Sequence, residues 1–364
     1  MILYGLLMAF IFFDGILFGG FTNLTGEARE ELASLHSFLA NGVFALGAAC
    51  AVLAWKASPG RALLAAALLI WKNLGTATWQ SGVILDTALL TSLACVDTER
   101  HNGTSWLITH LVYAAILAFL LQTGRVTEVM TAPSKFSELA ITGRSFGMGH
   151  PNSIAILIFS TWLMIWYLMI PQKWWLTILF FWAGGLLIFW LTLCRTVAAL
   201  LAVFPLIPIV LGPIARSRKP GLLKGLSVLP LLVITLTVII GMSYSSLTQY
   251  FQDGAFWMRF QDFTILQESG LTLFGANPVR FGYFDNFYIW MLMYCGLVPT
   301  AAVLVMYIWM IYTLARDRRA DLLAIALLFL FYGLMENAVA YAFYFFVPLL
   351  AFAGSFRNDP APEK

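Results

Sequence analysis

Apolar runs of bilayer length recur from one end of this chain to the other. They fall near residues 2–20, 36–55, 61–79, 82–96, 106–122, 153–170, 174–193, 196–214, 223–242, 286–313, 321–335 and 338–354. A spanning helix needs about 20 apolar residues, or roughly 17 at the short end. Within hydrocarbon every backbone N–H and C=O must find its partner internally, so such runs form helices or a closed barrel. Runs this long that lack strict alternation are helical. The expected fold is therefore all-α, a polytopic membrane bundle of about twelve transmembrane helices (roughly 10–12) in one integral domain covering residues 1–364. Composition agrees, with 61% hydrophobic and 11% charged residues, against about 25% charged in soluble domains. The run at 82–96 is the weakest, because Asp86 and several Thr and Ser residues interrupt it. Lys72 and Asp86 lie in adjoining runs, where an ion pair across the hairpin would stabilise rather than form a site.

Orientation follows from the connections. Arg216-Ser217-Arg218-Lys219 and Arg316-Asp317-Arg318-Arg319 are short basic hairpins of the kind retained in the cytoplasm. That places both termini inside. Residues 2–20 lack a basic n-region and read as a first membrane helix that stays. The net charge of +3 matters by position rather than by sum, and no nucleic-acid partner is expected. Cys50, Cys95, Cys194 and Cys295 sit in apolar stretches without metal-type spacing and read as packing residues.

Two connections are long, about residues 123–152 and 243–285, and both fall on the outer side. Long connections in a compact domain are usually functional or disordered. The first ends in Arg144-Ser145-Phe146-Gly147-Met148-Gly149-His150-Pro151-Asn152, directly before an apolar run. Pro151 suits the first helical turn, where its missing N–H costs nothing. The second carries an aromatic-rich stretch at 250–260, which fits an amphipathic helix lying at the interface. No Gly-x-x-x-x-Gly-Lys loop is present, which argues against an ATP-driven pump acting alone.

The outer arginines are Arg144 in the first loop, Arg195 at a turn between two apolar runs, and Arg259 and Arg280 in the second loop. Guanidinium forks match phosphate oxygens in pairs, so a lipid pyrophosphate suits this depth. Simple snorkelling would equally explain Arg195. Asp285 and Asn286 precede an apolar run and fit an N-cap, with a sugar hydroxyl as the alternative partner for Asp285. Glu336 fits an ion pair or a general base. His150 is flanked by Gly149 and Pro151 in the loop that holds Arg144, and is a candidate proton acceptor. His36 and His110 read as helix-end residues, and His101 as cytoplasmic.

Four motifs in this order carry a family resemblance. They are Arg144-x-x-Gly147-x-x-His150-Pro151-Asn152, Cys194-Arg195-Thr196, Arg259 followed after ten residues by Gly270, and Leu273-Phe274-Gly275 with Asp285-Asn286-x-Tyr288 and Cys295-Gly296. Over about residues 144–340 the chain resembles the Wzy-type oligosaccharide repeat-unit polymerases, within the O-antigen polymerase and ligase group. The first loop lacks the Arg-x10-Gly spacing of the second. The resemblance implies a GT-C-like helical fold in the bacterial cytoplasmic membrane. It implies polymerisation of undecaprenyl-pyrophosphate-linked oligosaccharide units at the outer face, with no nucleotide sugar, cofactor or metal. A chain-length regulator and a repeat-unit flippase are the implied partners besides the bilayer. On this reading Arg144, Asn152, Arg195, Arg259, Asn286 and Tyr288 bind the substrate and its pyrophosphate, while His150, Asp285 or Glu336 accepts the proton. The alternatives are a ligase of the same architecture and a transporter or flippase for lipid-linked solutes. A carrier should show paired repeats with broken helices, and none is visible in the sequence.

Overall fold

The computed structural model describes residues 2–19, 21–73, 79–96, 99–131, 142–170, 173–216, 221–243, 263, 266–268, 270–275 and 286–335. Almost all of this backbone is helical. Among the described residues, seven helical segments are long and apolar enough to cross a membrane: Ala33–Ala57, His101–Gln122, Pro151–Met169, Trp174–Thr192, Arg195–Ala215, Gly221–Met242 and Leu297–Arg316. Ile2–Phe18, Leu85–Val96 and Ala320–Met335 are shorter apolar helices. The chain is a multi-pass helical membrane protein. Its outward side chains say the same, since Leu186 is 73% exposed and Trp190 69% exposed on a helix whose Phe181 and Ile188 are fully buried. In water such a face would be a large apolar patch, whereas in a bilayer lipid covers it.

Contacts divide the chain into two compact units, with the boundary between Ile207 and Pro208. The first unit contains α1 (Ile2–Phe18), a short α2 (Gly26–Glu31), α3 (Ala33–Ala57), α4 (Pro59–Asn73), α5 (Trp79–Leu93) and α6 (Glu99–Gln122). A two-residue hairpin of β1 (Met130–Thr131) and β2 (Gly143–Arg144) follows, paired Met130 to Arg144. Then come α7 (Pro151–Met169), α8 (Trp174–Thr192) and α9 (Arg195–Val203). Helices adjacent in sequence pack together, α3 on α4, α4 on α5, α6 on α7, α7 on α8 and α8 on α9, while α1 packs on both α3 and α6. Apart from the long one between α6 and α7, short connections make this antiparallel arrangement the natural one. Trp166, Phe181 and Phe204 interlock between α7, α8 and α9, with Trp166 edge-on to Phe204 at 5.3 Å. The expected pair across the α4–α5 hairpin forms: Lys72 Nζ meets Asp86 Oδ1 at 2.5 Å.

The second unit contains the greater part of α10 (Leu206–Arg216), then α11 (Gly221–Gly225) and α12 (Leu229–Met242). A short helix α13 (Phe287–Trp290) continues as a π turn through Met291–Cys295. Helix α14 (Leu297–Arg316) and α15 (Ala320–Met335) complete it. The sequence suggests one helix over 286–313, but the run breaks at Gly296, whose φ is +84°. The reason is a backbone crossing. A Cβ on Gly296 would stand 2.2 Å from the Gly275 nitrogen, so two main chains pass where only glycine fits. Helix α15 is apolar and buried all round from Leu322 to Leu330. The expected helix at 338–354 and the interfacial helix at 250–260 lie outside the described residues.

Candidate functional site at the loop-bearing end of the first unit

The described residues that connect α1 to α2, α6 to α7 and α8 to α9 meet at one end of the first unit. Residues 21–25, leaving α1, lie between two other segments. Thr22 bridges Met148, and Leu24 bridges Val126. Asn23 N–H donates to Gly147 O at 2.9 Å, and Thr127 N–H donates to Asn23 O at 3.0 Å. Three chain segments thus form a small polar layer over the end of α1. These bonds satisfy backbone groups that would be costly so close to hydrocarbon.

The hairpin that bears Arg144 is seated on the α8–α9 turn. A Cβ on Gly143 would fall 2.5 Å from Thr192 O, so the two backbones touch. Leu193 adopts the left-handed conformation at the end of α8, and α9 starts at Arg195. The structure therefore brings Arg144 and Arg195, from two connections, to the same end. Arg195 is exposed at the first position of α9, and no carboxylate partner of it exists among the described residues. A cation there opposes the helix dipole, which favours anions at an N-terminus by roughly 0.3–1 kcal/mol.

Arg144 stands differently. Its Nε and Nη2 donate to the two oxygens of Glu128 at 2.7 and 2.8 Å, and its guanidinium lies 4.9 Å from the centroid of the Phe146 ring. The Arg144 hydrogen bonds hold the Glu128 carboxyl below its ordinary range, and the Phe146 backbone N–H assists. Phe146 and Gly147 both have positive φ in a turn closed by Met148 N–H to Ser145 O at 3.0 Å. A bulky residue in that conformation is an outlier, and here the Glu128–Arg144 pair clamps it.

His150 is the N-cap of α7, its Nδ1 accepting from Asn152 N–H at 3.1 Å. That bond places the neutral ring's proton on Nε2. Pro151 occupies the first turn of α7, as its position in the sequence suggests, and Asn152 follows half-buried. In the second unit, Asn286 caps α13. Its Oδ1 accepts from Tyr288 and Ile289 N–H groups at 2.9 and 3.1 Å, and its Nδ2 donates to Leu334 O at 3.2 Å. Tyr288 is buried, and its hydroxyl donates to Leu330 O. These two side chains anchor α13 to α15 through backbone partners. Arg259, Arg280, Asp285 and Glu336 lie outside the described residues.

One constellation escapes a reading of loops alone. Asp14 Oδ1 lies 2.7 Å from His36 Nδ1, with the Phe18 ring 4.6 Å from the imidazole. Asp14 stands four residues before the end of α1 and His36 three residues into α3, so both lie about one helical turn, ~5–6 Å, from this polar end. The sequence signal is an acid inside the first apolar run and a histidine at matching depth in the next. Nearby, Arg125 Nη2 meets Glu31 Oε2 at 3.0 Å.

No protein-family model matches the chain, and neither a curated protein nor a solved structure matches it.

Proposed function

We propose that this protein polymerises oligosaccharide repeat units carried on undecaprenyl pyrophosphate, at the outer face of the bacterial cytoplasmic membrane. The reading assigns it the enzyme class of membrane glycosyltransferases, a GT-C-like bundle of about twelve spans with both termini cytoplasmic. The observation that carries the proposal is Arg195. It is an exposed guanidinium without a carboxylate partner among the described residues, set at the positive end of an apolar spanning helix. The hairpin holding Arg144 is docked beside that turn. Helix N-terminus and guanidinium both favour an anion, and a membrane-borne diphosphate is one such anion at headgroup depth.

In this reaction the growing glycan leaves its lipid pyrophosphate for a hydroxyl on the next lipid-linked unit. Departure of the pyrophosphate builds negative charge, which fixed positive groups stabilise. Arg195 supplies one. Arg144 engages Glu128 through two of its N–H groups, so Glu128 orients the fork while other N–H groups serve the phosphate.

The test is a deletion strain complemented with variants. Loss of the gene should leave single repeat units in place of long surface chains. Arg195→Ala should reproduce that phenotype at normal protein level, with Arg195→Lys restoring little. Long chains in the deletion strain would end the proposal. Internal accumulation of lipid-linked units would favour a flippase instead.

A further inference from the structure

We infer that Asp14 and His36 form the proton-accepting dyad of this site, an assignment that rests on the polymerase reading above. The reaction needs a group at the outer end to take the proton of the attacking sugar hydroxyl. His150 uses Nδ1 to cap α7. The Asp14–His36 pair has the arrangement a base requires. A carboxylate 2.7 Å from Nδ1 fixes the ring and its tautomer, which leaves Nε2 as the acceptor. Among the described residues, Asp14 is the polar partner of the His36 ring.

Position supports the assignment. His36 heads the inward stripe of α3, which continues through Leu39, Val43, Gly47, Cys50 and Ala54. Yet its side chain is 51% exposed, while that of Asp14 is only 18% exposed. A sheltered acid behind a reachable imidazole is the polarity a base dyad needs. The reverse order would suit a structural tie. Ionisable residues inside apolar helices are costly and mark functional positions unless they serve packing. The end at which the dyad sits is the one that carries Arg144, His150 and Arg195.

The acceptor hydroxyl passes its proton to His36 Nε2 while its oxygen bonds to the anomeric carbon of the donor glycan. The bond from that carbon to the pyrophosphate oxygen breaks, and its electron pair leaves with the lipid pyrophosphate, whose new charge faces Arg195. Asp14 balances the imidazolium until the proton passes to water.

The experiment uses the full chain in vesicles, with lipid-linked repeat units extracted from the deletion strain as substrate. His36→Ala should lower kcat about 10²–10⁴-fold, the usual range for a lost general base, with KM little changed. Added imidazole should recover part of that rate in His36→Ala but none in Arg195→Ala. Asp14→Asn, which offers the ring the wrong partner, should lower kcat similarly, and Asp14→Glu should retain more. Because alanine also removes contact with Phe18, rescue decides the matter: a merely misfolded variant gains nothing from imidazole. Wild-type turnover in His36→Ala, or a loss that imidazole does not relieve, overturns the dyad alone. Absence of polymer from the wild-type protein overturns the polymerase reading, and the dyad with it.

Discussion

The ion pair between α4 and α5 offers a sharp test of how this bundle is stabilised. Lys72 Nζ and Asp86 Oδ1 lie 2.5 Å apart, with side chains 25% and 9% exposed. At an effective dielectric of about 20 the attraction is roughly 6–7 kcal/mol before desolvation. Removing one partner of a buried pair costs about 3–5 kcal/mol net, because the other charge is stranded. The two single variants should therefore differ. Lys72→Met strands the more deeply buried carboxylate and should cost about 3–5 kcal/mol, whereas Asp86→Leu leaves a lysine whose long stem can snorkel, for about 1–3 kcal/mol. The double variant should return to within about 1 kcal/mol of wild type, since apolar replacements of both partners are often neutral. Cys50, Cys194 and Cys295 are buried free thiols, so a thiol-reactive fluorogenic dye reports thermal unfolding in detergent. With about 2–4 °C per kcal/mol for a unit of this size, Lys72→Met should lower the midpoint by roughly 6–20 °C. Additive effects in the double variant, or a larger cost for Asp86→Leu than for Lys72→Met, would refute the reasoning.

Two further predictions concern the hairpin. Gly143→Val places a Cβ about 2.5 Å from Thr192 O, where the obstacle is backbone; it should undock the hairpin, cost about 1–3 kcal/mol and lose polymer formation in vesicles, whereas unchanged activity would separate Arg144 from the site. Glu128 has its carboxyl lowered by Arg144, so the pair's contribution is complete above the ordinary Glu value of about 4.3 and is lost as pH falls through the lowered folded value. The midpoint difference between wild type and Glu128→Gln should accordingly hold at neutral pH and vanish in acid, and a difference independent of pH would contradict it.

The long helices were legible because hydrocarbon leaves a run such as 174–193 one way to pair its backbone. The Lys72–Asp86 pair was legible for a related reason, as two charges at one depth in adjoining runs have few partners. The break at Gly296 was not legible, since Met291–Cys295 and Leu297–Val298 read as one apolar run, and only the crossing of Gly275 forces the interruption. The Glu128–Arg144 clamp was hidden for a different reason. It depends on the hairpin register that sets Met130 opposite Arg144, and two-residue strands leave no periodic trace. Asn286 emerged as the helix cap that its residue type suggests. His36 reads as a helix-end residue, and its pairing with Asp14 follows only once α1 lies antiparallel to α3.

The strand-like thread at 21–25 also bears on assembly order. The Asn23 side chain bonds Thr127, 104 residues later, and its backbone N–H awaits Gly147. During synthesis α1 therefore enters the membrane long before the segments that close over it exist. The rim over the end of α1 is completed only once residues 147–149 have been made, so a chain truncated before residue 147 should insert its early helices with that rim left open to water.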